Sequence, residues 1–304
     1  MHIGNGIICP VTGIPMLAIA GATAFYAYKQ AKKDFSKEKI LPTVALTGLV
    51  FALQMINFAI PQTGSSGHII GAILLASLLG ANVAFLAMCS ILIVQSVFFA
   101  DGGLLALGCN IFNMGFLACY VAYPLLFKPL ENKNKPVLGA ILASIVALQL
   151  GSIAVVAEGA FSGSITMSAI LNFTGLMQAI HLPIGVAEGV ATGLIVAISK
   201  VVDTKKMSYT LSAISLVLAG VISQFASAKP DGLEWSLLNI SDSVVMQTQG
   251  LLYNMSESIQ HNLSVLSNMP YAFGNVVGLL VVAVLMYTTC LMLDRKTVTV
   301  KNEK

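Results

Sequence analysis

The chain has 304 residues, of which 57% are hydrophobic and only 10% are charged, whereas a soluble domain carries about a quarter charged residues. That balance, with a mean hydropathy of +0.86, excludes a soluble globular protein, and the continuous apolar runs exclude a β-barrel, whose strands alternate. The net charge of +3 comes from basic residues in short loops, where they report membrane orientation and carry no sign of a nucleic-acid partner. The expected fold is all-α: a multi-pass helical bundle of about nine transmembrane helices in the plasma (inner) membrane, with the N-terminus outside and the C-terminus cytoplasmic.

Residues 1–10, Met1-His2-Ile3-Gly4-Asn5-Gly6-Ile7-Ile8-Cys9-Pro10, are glycine-punctuated and uncharged apart from the terminus and His2. No Lys or Arg precedes the first apolar stretch, so no cleavable signal is expected. Met1 is expected to be the mature terminus, protected from removal by the bulk of His2. An α-amine, a backbone amide and an imidazole on adjacent residues can chelate one metal ion, and the imidazole of His68 can close the set. Four nitrogens near a plane suit Ni(II) or Cu(II), with Co(II) close behind. Taken alone, the two histidines also read as an ordinary terminal residue and a helix-start residue satisfied by water.

The first span is expected over Val11–Tyr28. The loop 29–39 carries Lys29, Lys32, Lys33, Lys37 and Lys39 against Asp34 and Glu38, a cytoplasmic signature. The second span, Ile40–Ile60, ends at Pro61. Gln62-Thr63-Gly64-Ser65-Ser66-Gly67-His68 is a tight polar turn whose backbone can approach another segment. His68 opens the run Ile69–Leu79, too short to cross a bilayer alone. A short helix starting part-way down a cavity places a polar group at depth.

After a turn at Gly80-Ala81-Asn82, Val83–Ala100 returns to the outer turn Asp101-Gly102-Gly103. The next span opens with Leu107-Gly-Cys-Asn110-Ile-Phe-Asn113-Met-Gly115, and two asparagines three apart share a helix face. They read either as interhelical hydrogen-bonding groups or as groups that orient His68 and the N-terminal segment. Ser65 and Ser66 are candidates for that supporting role as well.

The span ends near Phe127, and Lys128, Lys133 and Lys135 mark another inner loop. Pro136–Ala157 leads outward to Glu158. Ser164–Ile180 is expected as a re-entrant or interfacial helix, with His181 an interfacial residue before a separate span, Ile184–Ser199. There Gly185, Gly189 and Gly193 form a smooth packing face. Glu188 is expected to be the only carboxylate within a span. It is a functional or gating candidate by default, and equally a structural one, bonded to a neighbouring helix end or a partner subunit. Lys200, Lys205 and Lys206 follow, then a span Tyr209–Ala226, a polar stretch over about 227–275 containing Trp235, and a last span Val276–Leu293 before Arg295, Lys296, Lys301 and Lys304. In this scheme all of the sixteen basic residues except Lys229 face the cytoplasm. The five cysteines, Cys9, Cys89, Cys109, Cys119 and Cys290, form no CxxC pair and read as small buried hydrophobes; Cys9 is a weak candidate for an extra soft ligand.

Met1-His2-Ile3, Gly64-Ser-Ser-Gly-His68, Phe99-Ala-Asp-Gly-Gly103 and Leu107–Gly115 together resemble the CbiM/NikM family, the metal-capturing membrane components of cobalt and nickel energy-coupling factor (ECF) transporters. The resemblance covers residues 1–205. It implies that the amine of Met1, the amide and imidazole of His2, and His68 hold the ion. Gly4-Asn5-Gly6-Ile7 departs from the commoner family pattern, in which an acidic residue and an aromatic follow. Residues 206–304, with Pro230-Asp-Gly-Leu-Glu234, resemble the small two-span partner subunit of the same transporters, so the chain resembles a fusion of the two. The implied function is capture of Ni(II) or Co(II) from outside and its passage inward. The implied partners are a coupling membrane subunit and cytoplasmic ATPases, and no organic cofactor is implied. Consistent with a separate motor, the sequence holds no GxxxxGK[ST]. An intramembrane metalloenzyme lacks support because there is no HExxH and no carboxylate at helical spacing from either histidine; a gradient-driven transporter lacks it because no internal repeat is evident.

Overall fold

The computed structural model describes residues 1–294; the expected cytoplasmic residues Arg295, Lys296, Lys301 and Lys304 lie outside the described residues. Among these, six helices are long and apolar enough to cross a membrane: α1 (Pro10–Asp34), α4 (Ala81–Phe99), the helix Leu107–Asn132, α7 (Pro136–Phe161), α8 (Ile170–Ser199) with the turn before it, and α12 (Tyr271–Leu293). The second and third apolar runs form the shorter α2 (Ile40–Gln54) and α3 (Ala72–Leu79), and α9 is Thr204–Gly220. The Leu107–Asn132 helix starts as α5 (Leu107–Ile111), widens to i→i+5 hydrogen bonding over Phe112–Phe127 and ends as α6 (Lys128–Asn132). Such wide turns are usually confined to a single turn, and here the stretch contains Pro124, which cannot donate to an α-helical ladder.

Several expectations need correction. α2 stops at Gln54, short of Ile60, because the chain turns into a strand: β1 (Phe58–Ala59) pairs antiparallel with β2 (Ser66–Gly67), Phe58 opposite Gly67. The carbonyls freed at the helix end find distant partners, Met55 O accepting from the Tyr271 hydroxyl at 2.5 Å and Asn57 O from Ser227 N–H. Ser164–Ile180 and Ile184–Ser199 are not separate; α8 is one helix of 30 residues, about 45 Å long at 1.5 Å per residue. Pro183 withholds only one amide, and the His181 ring bonds within its own helix, Nδ1 donating to Met177 O at 2.7 Å. His181 is therefore buried, not interfacial. Glu158 also lies inside an apolar helix, the last part of α7, so Glu188 is not alone. The polar stretch 227–275 contains two helices, α10 (Gly232–Leu238) and α11 (Leu251–Leu263), and α12 begins at Tyr271 rather than Val276.

Glycine faces set the closest packing. A Cβ on Gly185, Gly189 or Gly193 would fall 2.9, 2.5 and 2.9 Å from atoms of Ile145, Ile141 and Val137, so α8 lies directly on the backbone of α7. This is close small-residue packing, the usual source of helix affinity in lipid. α1 meets α5 in the same way, a Cβ on Gly108 landing 2.2 Å from Leu17 N. Phe51, Phe85 and Phe127 fill the core around α2, α4 and the wide helix. α9 and α12 pack on α2, which fastens residues 206–294 to the first bundle. Tyr28 Oη donates to Met292 O at 3.1 Å, bringing the C-terminal ends of α1 and α12 together. The opposite end of the bundle gathers the N-terminal segment, the His68 turn, the Asp101 turn and α10.

Candidate metal centre at the N-terminal end

The first eight residues are threaded into the bundle. Ile3 is fully buried, with its N–H donating to Asn110 Oδ1 at 2.8 Å and its carbonyl accepting from Asn110 Nδ2 at 3.2 Å and Gly103 N–H at 2.9 Å. The Asp101-Gly102-Gly103 turn leaves room for this crossing: Gly102 has φ +90, and a Cβ on Gly103 would sit 2.4 Å from Asn5 Oδ1. Asn5 Nδ2 donates to Gln260 Oε1 at 2.6 Å, and Gln260 Nε2 donates to the carbonyls of Ser96 and Gly102, each at 2.8 Å. α11 thus pins both the segment and the turn beneath it.

This threading brings Met1, His2 and His68 to one place. The His2 and His68 rings stack with centroids 5.1 Å apart. His2 Nε2 is 3.2 Å from Gln95 Oε1 and its Nδ1 is 3.5 Å from Asp101 Oδ1. Burial first, then the terminal ammonium, push both imidazoles down to about 3, with His2 adding to the effect at His68. Both rings are therefore neutral at physiological pH, with lone pairs free to bind a metal. His68 Nε2 is buried and has no hydrogen-bond partner.

The His68 turn is held from two sides. Glu188 accepts from Ile70 N–H at 2.8 Å and Gly71 N–H at 3.1 Å, and Gln54 Nε2 donates to Ile70 O at 2.6 Å. Glu188 is thus the anchor of the loop that carries His68. Of the two asparagines, Asn110 supports the N-terminal segment, while Asn113 bonds Glu158 Oε2 at 2.7 Å and ties helices together. Ser65 and Ser66 serve another partner: Ser66 donates from its amide to Pro230 O at 2.8 Å and from its hydroxyl to Lys229 O at 2.7 Å, and Ser65 Oγ donates to Pro230 O at 3.3 Å.

The residue that these serines deliver is Asp231, which the sequence reading left out of the site. Its Oδ1 caps α10 by accepting from Glu234 N–H at 2.8 Å, and its Oδ2 accepts from the Met1 ammonium at 3.0 Å. Burial works to raise this carboxyl, but the ammonium and the Glu234 amide outweigh it and hold the group below the usual carboxylate range. The only sequence sign was its place in Pro230–Glu234, a capping sequence for α10 that does not reveal the second partner. Cys9 stands apart as the residue before α1, beside Thr12.

A cavity of about 740 Å³ leads to this cluster, with His2, His68, Asp101 and Asp231 in its wall. Among the described residues, no three His, Cys, Asp or Glu side chains converge to hold an ion, so a chelate here has to recruit main-chain nitrogen. Met1 and His2 are the residues that present an amine and an adjacent amide.

An apolar bundle with six helices long and apolar enough to cross a membrane among the described residues is a multi-pass membrane protein. The particular family follows from comparison: the chain belongs to the CbiM family, described as a cobalt uptake substrate-specific transmembrane region, which matches residues 2–205, and residues 205–295 match the PDGLE domain. It is thus a CbiM/NikM-type membrane component fused to a NikN-like part, a metal transport protein and not an enzyme. It is 30% identical over 240 residues to a putative fused nickel transport protein NikMN of Archaeoglobus fulgidus, covering 77% of this chain and 68% of that one. It is 29% identical to the cobalt transport protein CbiM of Clostridium tetani, covering 64% and 82%. A crystal structure of a transition metal transporter superposes with a TM-score of 0.59 at 31% identity, covering 66% of this chain and 93% of that one.

Proposed function

We propose that this chain is the substrate-specific component of an ATP-driven ECF-type importer, with residues 1–205 the metal-capture unit and 206–304 the small-subunit-like unit. It captures Ni(II) or Co(II) from outside the cell through the amine of Met1, the amide and imidazole of His2, and the imidazole of His68. A coupling membrane subunit and cytoplasmic ATPases then drive its passage inward. The observation that carries this reading is the convergence of the terminal amine and two neutral, stacked imidazoles at one buried point. Planar nitrogen ligation favours Ni(II). The amine rests on Asp231 as an ammonium, so capture releases one proton from it and one from the ligating His2 amide, and breaks that ion pair. Asn110 and the Asp101 turn fix the approach of the segment, and Glu188 fixes the His68 turn.

The test is metal content and affinity of the purified chain with its untagged N-terminus, beside His2→Ala, His68→Ala and a form with one extra residue before Met1. Stoichiometric Ni(II) or Co(II) binding in the untagged chain, weakened about tenfold or more in all three, supports the terminal chelate, and the preferred ion names the cargo. Unchanged binding in the extended form removes the amine from the ligand set.

A further inference from the structure

A second, small cavity of about 10 Å³ shares His68 with the outer one and is close to the size that holds one water. His68 and Asp231 belong to both cavities; His2 lines only the outer one and His181 only the inner one. The orientation of His181 is fixed. Its Nδ1 is 2.7 Å from Met177 O, a group that can only accept, so Nδ1 carries the proton of the neutral ring and Nε2 keeps its lone pair. A backbone carbonyl holding one ring nitrogen is how metal-binding histidines are oriented and made more basic. The Nε2 edge is left open by Gly232, where a Cβ would lie 3.1 Å from Cε1 and 3.3 Å from Nε2 of the ring. His68 lines the same cavity, and its Nε2 is buried without a hydrogen-bond partner.

α8 also links the two rings mechanically. His181, Ile184 and Glu188 recur at helical spacing on one face; Ile184 lines the small cavity and Glu188 holds the loop bearing His68. Pro183 removes the bond that its position would give to Ala179 O, a local loosening of the helix beside His181. A shift of α8 therefore moves both imidazoles together.

We propose that His68 and His181 form a second, inner metal-binding position, into which Ni(II) or Co(II) passes from the terminal chelate. His68 is the shared ligand, exchanging His2 for His181 as the ion moves, so that the cation is not released unliganded into the apolar interior. The proposal rests on the function proposed above and adds a step to it.

The test uses the purified full-length chain and Cu(II) as a spectroscopic probe with strong affinity for nitrogen sites. Pulsed EPR counts the bound imidazoles in wild type, His2→Ala, and His2→Ala combined with His181→Asn. Asn keeps a donor toward Met177 O and removes the Nε2 lone pair, which separates ligation from a merely structural role. The expected result is two imidazoles in wild type, two in His2→Ala at lower affinity, and one in the combined variant, with a further loss of about tenfold or more in affinity. Gly232→Ala, which crowds the ring edge and changes no histidine, is expected to weaken the residual site of His2→Ala in the same direction. Equal imidazole counts and equal affinity in His2→Ala and both combined variants overturn the inner position while leaving the terminal chelate standing. A wild-type chain that binds no Cu(II) overturns both.

Discussion

Residues 1–205 close a core of their own, α7 on α8 through a glycine face and α4 against the wide helix, with aromatic side chains fully buried between them. Residues 206–294 have no comparable core. α9 and α12 lie on α2, α10 rests on α8, and α11 sits on α4 with Leu251, Met255, Ile259 and Leu263 exposed. Yet the second region supplies two groups that the first lacks at the site: the carboxylate on the terminal amine and the Gln260 amide that pins Asn5. The first region behaves as scaffold, the second as a fitted cover over its N-terminal segment.

If that division holds, damage to the scaffold costs more than damage to the cover. Glu188→Ala should have the largest effect, because it orphans two buried amides that now share a carboxylate, a loss of about 3 kcal/mol or more. Denaturant unfolding in detergent measures it, and Glu188→Gln, which keeps one acceptor, should recover a good part. An equal cost for Gln and Ala would mean that the charge and not the hydrogen bonding matters. Gln260→Ala should cost less, about 2 kcal/mol, and should act locally: faster hydrogen exchange over residues 3–7 and at Gly102–Gly103, with α7 and α8 unchanged. Exchange that spreads into α7 would erase the distinction between cover and scaffold.

The smallest expected effect is on pH. His2 and His68 titrate at about 3 in the folded chain against about 6.5 when exposed. The unfolded chain thus takes up protons first, and stability is highest above pH 6.5 and falls as pH drops from there toward 3. Between pH 7 and pH 6 the pair costs about 1.4 kcal/mol, so the melting temperature in detergent should decline by the order of a few degrees over that unit, and His2→Ala with His68→Ala should flatten the decline. A decline that persists in the double variant would assign it to other groups.

Much of the site could be read from residues that are odd in their setting. A terminal Met-His, a histidine after a Gly-Ser turn, an asparagine at a span entrance and a carboxylate within a span each stand out against apolar sequence, and the structure brings Met1, His2, His68, Asn110 and Glu188 to the same end of the bundle or to its supports. Asp231 could not be read in this way, because its partner is 230 residues away and its local sequence is fully explained by capping α10. His181 misled for the opposite reason: a polar residue beside Pro183 reads as a helix boundary, but the ring satisfies itself on Met177 O and the helix continues. Span ends were the least legible, as at α2, where the stop at Gln54 depends on Ser227 and Tyr271 from the far end of the chain.

The contact between the Ser65-Ser66 edge and Lys229–Asp231 has a further consequence when its connectivity is considered. Residues 205–230 join Asp231 covalently to the bundle, so if the amine leaves Asp231 on capturing metal as proposed, its return is an intramolecular step. Residues 204–220 and 222–225 are helical, with α9 packed on α2, so only 226–230 act as the link. A link this short sets an effective concentration of the order of millimolar, at which a few weak hydrogen bonds are enough to reseat the loop. A cover carried on its own chain would need an affinity of its own for every cycle. Fusion allows this contact to remain weak enough to open and still be closed most of the time.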